Sequence, residues 1–352
     1  MPIDKKESDN NLARLISFDI LKCMAIFFVI WGHCIQYLSS SYHADEPIYR
    51  TIYSFHMPLF MMISGFFSLS SYQLSFTNFF YKKFKQLLLP CISWGVIVCG
   101  GVWLNNNIIS NGNKSIQEYS YIFYHCYWFL KSCFLCYLLG WAVYNIGKAH
   151  RSLFLIISII ISQCISEFHL QIMYPCFVVG VELKRNNKFL RKVVQCRIEF
   201  AILFLIMLCF WGKSFWEHSG TLYNAFWGLF QFSSLHMFDW LYDVYRIMIG
   251  IVGSCALIGL FVYYYDEKGH SSKTTTHVAI IGRFTLEIYC LQAILLEIII
   301  AKIISLDSLS FFSFNFIVTP LISIIVLYAC YIIVEFVNKS ALLLFVMFGK
   351  NK

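Results

Sequence analysis

Three histidines stand where an imidazole could do chemistry. His33 lies in Trp31-Gly32-His33-Cys34, inside an apolar run from Leu15 to Leu38. His56 belongs to Phe55-His56-Met57-Pro58-Leu59-Phe60, and His125 to His125-Cys126-Tyr127-Trp128-Phe129-Leu130-Lys131. Imidazole titrates close to neutral pH, so it can take a proton from a hydroxyl or attack an activated carbonyl itself. The three rings could also hold zinc. No close pair such as His-x-x-x-His is present, however, and no metal is expected. A lone His at a helix end is more often a hydrogen-bonding or interfacial residue. That bland use competes for His56 and His125 more than for His33, which lies deeper in its apolar run.

A second polar set sits at the opposite end of the same runs. Asp19 and Lys22 are spaced i, i+3 and can pair on one helix face. His33 follows Asp19 by about 21 Å of helix, so Asp19 is too far away to orient it. Arg14 flanks the same end, and Lys82 and Lys85 lie one turn apart at the start of another run. Anchoring at a membrane surface would account for such cations. So would binding an anionic ligand.

These residues must be positioned by helices in a bilayer. Of the 352 residues, 59% are hydrophobic, 19% aromatic and only 13% charged, about half the charge of a soluble domain. The apolar residues come in uniform blocks rather than in the short alternating segments of a barrel. The fold class expected is an all-α integral membrane protein with ten spans. They lie at roughly 17–38, 52–71, 86–104, 122–146, 152–166, 170–183, 198–212, 246–265, 280–304 and 312–337. The fifth and sixth form a tight hairpin. Pro58 fits the first turn of the second span, which puts His56 at its outer end. His125 then opens the fourth span, so all three His could share one outer vestibule.

Lys and Arg cluster between alternate blocks. With the N-terminus inside, only Arg50, Lys114, Lys213, Arg246 and Lys302 fall in outer segments. Both termini are therefore expected to be cytoplasmic. The net charge of +8 reflects this topology, and nucleic acid is not expected as a partner. The first run is too long for a signal-peptide core and reads as a retained span. The 14 cysteines are scattered, mostly in apolar runs, and imply no disulfide framework. The outer segment from Lys213 to Arg246 is rich in aromatics, including Trp216 and Trp227. It could be an interfacial belt or a platform on which sugar rings stack.

The order Arg14-x4-Asp19-x2-Lys22-x2-Ala25-x3-Val29-x3-His33, then Met57-Pro58-Leu59-Phe60 with Ser64-Gly65-Phe66, resembles the membrane-bound acyltransferase-3 family of bacterial envelope acetyltransferases. Lys82-x-x-Lys85 before Pro90, Trp128-Phe129-Leu130, Phe177-x-x-Gly180 and Gly282-x-x-Thr285-x-x-Ile288-Tyr289 follow in the expected order. The resemblance covers residues 14–338, leaving 1–13 and 339–352 as cytoplasmic tails. The family usually has Arg where Lys22, Lys82 and Lys85 stand, and Lys keeps the charge but not the bidentate fork. It often has His at the position of Gln292, so Gln292 is not expected to be essential here.

The resemblance implies a multi-pass enzyme of the bacterial cytoplasmic membrane. It would move an acyl group, usually acetyl from acetyl-CoA, to a hydroxyl of an extracytoplasmic or lipid-linked glycan. Arg14, Lys22, Lys82 and Lys85 would hold the CoA phosphates. His33 would be catalytic as base or acyl carrier, with His56 and His125 assisting it. Trp128, Trp216 and Trp227 would contact the acceptor. Two other classes also use intramembrane charge. A glycan or lipid transporter would favour internal inverted repeats, and no convincing repeat is found. A structural partner of a polysaccharide synthase would tolerate loss of His33.

Overall fold

Backbone in lipid must satisfy its own N–H and C=O groups, so long apolar runs fold as helices. The computed structural model describes residues 15–40, 45–109, 114–147, 150–225, 238–270 and 272–350, and every regular element among them is helical. Helices occupy all ten expected places. Five of them are long and apolar enough to cross a membrane alone: α1 (Ile16–Tyr37), α3 (Phe76–Asn107), α10 (Asp239–Glu267), α11 (Lys273–Ile303) and α12 (Ser313–Val337). Two bent pairs raise the number to seven. These are α4 (Ile116–His125) with α5 (Trp128–Asn145), bent by 54°, and α8 (Asn187–Gln195) with α9 (Arg197–Phe210), bent by 69°.

The other three of the ten places hold α2 (Pro47–Phe66), α6 (Arg151–Gln163) and α7 (Leu170–Arg185). α2 and α7 face protein on most sides, so they can carry Ser, Gln and His at buried positions that lipid would penalise. They pack backbone to backbone. A Cβ on Gly65 would stand 2.0 Å from the Phe177 carbonyl oxygen, and one on Gly180 would stand 1.9 Å from that of Met62. This close approach is the physical content of the Ser64-Gly65-Phe66 and Phe177-x-x-Gly180 motifs. Leu321, Ile325, Ile332 and Phe336 of α12 and Ile202 and Leu205 of α9 stay exposed, as a lipid-facing surface requires.

Two expectations about helix ends are corrected. α2 begins at Pro47, so Pro58 lies inside the helix and His56 is buried in its middle, 1% exposed. Pro47 already supplies the favoured helix start. Pro58 then interrupts the helix interior, where it cannot donate to the carbonyl one turn back. His125 ends α4 instead of opening the next span. Tyr127 takes a left-handed conformation, φ 52°, at the break. Lys131 Nζ caps the carbonyls left open there, at 3.1 Å from Phe123 O, 2.5 Å from Tyr124 O and 3.1 Å from Cys126 O. This lysine is thereby spent on closing a broken helix.

After α12 the chain turns back as α13 (Ala341–Phe348) and packs on α3, burying Leu344 and Phe348.

Candidate active site

His33 projects from α1, half-buried, and its Nδ1 lies 2.9 Å from Gln292 Oε1 on α11. Gln292 is fully buried, and its Nε2 donates to Tyr289 O at 3.3 Å. That bond fixes which end of the amide faces the ring. A side-chain carbonyl oxygen only accepts, so Nδ1 carries the proton and Nε2 is left with its lone pair. The pair thus sets the tautomer that a base or nucleophile needs.

Tyr37 follows His33 by one turn, with ring centres 5.7 Å apart, and Glu297 lies near enough to act on its hydroxyl electrostatically. Glu297 is five residues beyond Gln292. An α-helix would set the two about 140° apart. Residues Ile294–Ile300 instead form a wider π-helical turn, which swings Glu297 back toward the face that carries Gln292. The carboxylate acts electrostatically on His33, Tyr37, Tyr53 and Tyr289 alike. Sequence reading missed Glu297, because helical periodicity puts it on the wrong face. The one available signal was an acid inside an apolar run.

His56 reaches the same cluster. Its Nδ1 donates to Ile52 O at 2.7 Å, its ring meets Tyr53 at 4.5 Å, and it interacts electrostatically with His33. His125 does not join them. It is exposed, bonds Tyr121 O at 3.0 Å and packs against Tyr121 and Tyr124. Trp128 packs edge-on against His169, 4.8 Å between centres. Trp216 belongs to the short helix Ser214–Glu217, but its side chain, like Trp227 and Arg14, lies outside the described residues.

At the other end a cavity of about 630 Å³ is lined by Lys82, Lys83 and Lys85, with Tyr81, Gln86 and Tyr137. Lys83 is buried over the Tyr137 ring at 3.6 Å, and Lys85 lies over Phe345 at 4.6 Å. The sequence pattern pointed to Lys82 and Lys85 and not to Lys83. The Lys-Lys-x-Lys run was its signal. Lys22 points elsewhere: it pairs with Asp19 at 3.3 Å, and Arg283 approaches the other oxygen of Asp19 at 3.5 Å. A second, narrower cavity of about 120 Å³ shares Ser64, Leu87, Cys133 and Leu286 with the first. It runs on past Phe129 and Leu130 to Val29 and Tyr289, one turn short of His33 and Gln292 respectively. The arrangement is a cationic mouth, an apolar passage and, one turn beyond it, an imidazole with a free Nε2 lone pair. Among the described residues no group of three His, Cys, Asp or Glu could hold a metal ion.

A family model described as an acyltransferase domain matches residues 15–335. The chain is similar to the nodulation protein NolL of Mesorhizobium japonicum, 25% identical over 301 residues, which cover 79% of this chain and 76% of that protein. It is also similar to NolL of Sinorhizobium fredii, 26% identical over 226 residues, covering 59% and 61%. No solved structure matches.

Proposed function

Since the chain belongs to the acyltransferase-3 family and is a membrane acyltransferase, we propose that it transfers acetyl from cytoplasmic acetyl-CoA to a carbohydrate hydroxyl on the far side of the bacterial inner membrane. The single observation that carries this reading is that the lysine-lined cavity and the apolar passage sharing its lining lead from the three lysines to within one turn of His33, whose Nε2 keeps its lone pair. The ten helical places and the charge bias are read as ten spans with both termini cytoplasmic. Lys82, Lys83 and Lys85 then face the cytoplasm, where an acyl-CoA is available, and hold its phosphates by charge-assisted bonds. Arg14 and Lys22 support the same inner surface.

The acyl arm lies in the apolar passage, which excludes water from the thioester. A sugar hydroxyl enters from the outer side. In one route His33 Nε2 takes its proton as the oxygen attacks the thioester carbonyl. The C–S bond breaks, and the imidazolium returns the proton to the departing CoA sulfur. In the other, Nε2 attacks the thioester carbonyl first and the C–S bond breaks with loss of the CoA thiolate; the sugar hydroxyl then attacks the acyl-imidazole, freeing Nε2, and its proton goes to the thiolate. The same lone pair serves both. Tyr37, Glu297 and His56 surround the ring and orient the acceptor, and Trp128 and the aromatic segment beyond Lys213 supply stacking surfaces for its rings.

Mass analysis of surface glycans from cells with and without the gene tests the proposal. Gain of one acetyl mass per modified residue, with release of free CoA by isolated membranes, is the expected result. Identical glycans and no acetyl-CoA consumption would refute it. Cysteine-accessibility labelling of the loops at Lys114 and Lys188 tests the orientation. Labelling of Lys188→Cys from outside would reverse donor and acceptor sides.

A further inference from the structure

The last described residues enter the cationic cavity. Phe348, Gly349 and Lys350 line it together with Lys82, Lys83 and Lys85. An isolated apolar helix of eight residues is not stable by itself, so α13 owes its order to docking, and the docking is specific. Trp94 Nε1 donates to Met347 O at 2.8 Å, Ser93 Oγ donates to Val346 O at 2.7 Å, and the Phe348 and Trp94 rings are 5.6 Å apart. These bonds take up carbonyls that the helix end leaves open. Gly349 ends the helix with φ +62°, and a Cβ there would stand 1.7 Å from Lys85 O. Only glycine fits, so the position of Lys350 is fixed by its neighbour.

Lys350 then reaches Glu287 of α11 and forms an ion pair with Glu287 Oε1. Glu287 is fully buried, and its Oε2 has no hydrogen-bond partner among the described residues. A buried carboxylate needs a cation, and Lys350 supplies it. An ammonium group has three donors, and the Lys350 side chain is 43% exposed. One donor is taken by Glu287, and the others remain available toward the cavity.

We propose that the C-terminal segment is the closing wall of the donor site, with Lys350 as a fourth phosphate-binding cation held in place by Glu287. This rests on the reading of the lysine cavity as the CoA site. It makes donor affinity depend on Gly349 and Lys350, far in sequence from the other lysines.

The test uses the full-length protein in nanodiscs of neutral lipid, with coenzyme A as the probe in calorimetric titration. Lys350→Gln is expected to weaken binding about tenfold, the loss of one charge-assisted bond. Because that variant leaves Glu287 alone in the interior, the neutral pair Glu287→Gln with Lys350→Gln is measured beside it, and the same loss is expected. Lys339→Gln, an equal change of charge outside the cavity, should bind as the wild type. A second readout is alkylation of Cys133, which lines both cavities, by N-ethylmaleimide in the ligand-free protein, located by peptide mass. It should quicken several-fold in both Lys350 variants as the wall loosens. Wild-type CoA affinity in the neutral-pair variant would overturn the proposal. If the wild type binds no CoA, the donor reading has failed, and unchanged Cys133 alkylation would then overturn the wall as well.

Discussion

His33 Nδ1 and Gln292 Oε1 meet at 2.9 Å between α1 and α11, 259 residues apart in the chain. The bond makes Gln292 a positioning residue for the imidazole. Gln292→Leu is expected to lower acyl transfer by about 10- to 100-fold, as loss of an orienting partner does at other His sites, while membrane insertion stays normal. Gln292→His can still accept from Nδ1 and should retain most activity. Equal rates for Gln292→Leu and wild type, measured per inserted protein, would remove Gln292 from the site.

His33 itself should be indispensable. A general base contributes about 10²–10⁴-fold, so His33→Ala and His33→Gln should each reduce glycan acylation by that order. Neither change should unfold a bundle in which this ring is half-buried. Incubating the purified enzyme with radiolabelled acetyl-CoA and no acceptor separates the two routes. Label retained by wild type and lost in His33→Gln marks the covalent one.

Lys82 and Lys85 should govern the donor requirement. Replacing both by Gln should raise the KM for acetyl-CoA at least tenfold with little change in the acceptor KM. Replacing both by Arg keeps the charge and adds a planar fork for phosphate, so affinity should be kept or improved. An unaltered KM in the Gln variant would leave these residues as surface anchors.

The contact of Gly65 and Gly180 should be intolerant of any side chain. Gly180→Ala places a Cβ 1.9 Å from the Met62 carbonyl oxygen, and backbone cannot yield as a flexible side chain would. A loss of about 1–3 kcal/mol is expected from such overpacking. It should be visible as a lower melting temperature in detergent. Gly100→Ala, where an added methyl meets nothing within 4 Å, is the matched control.

Asp307 ties the chain leaving α1 to the loop before α12. Its carboxylate accepts from Ser305 Oγ at 2.6 Å, from the Ser40 N–H at 2.6 Å and from the Ser40 and Ser39 hydroxyls at 2.9 and 3.0 Å. These donors, Ser305 first, hold the Asp307 carboxyl well below the usual carboxylate range. A depressed folded value stabilises the tie above the unfolded pKa of about 3.9, and that stabilisation is lost as pH falls through the folded value. Asp307→Asn should therefore quicken proteolysis of this loop pair at pH 7, and the difference from wild type should shrink only in strong acid. A variant as resistant as wild type at pH 7 would show that the tie contributes nothing.

The residue order alone established a helical membrane protein, because hydropathy and the placement of Lys and Arg are properties read along a chain. It also singled out His33, since an imidazole deep in an apolar run needs a reason, and Lys82 and Lys85, since their spacing puts them on one helix face. The glycine motifs were visible as well, although their reason, carbonyls 2 Å from an added Cβ, was not. Which polar groups meet was decided by the rotation and packing of helices. Pro47 moved the start of α2 and drew His56 inward, and the break at Tyr127 turned His125 outward. A π turn brought Glu297 round to the face of Gln292. The family pattern made Gln292 look like a lost histidine, yet the packing of α11 on α1 made it the partner of His33. Nothing in linear order joins Lys350 to Lys82. A chain that folds back on itself sets such distances, and local sequence carries no record of them.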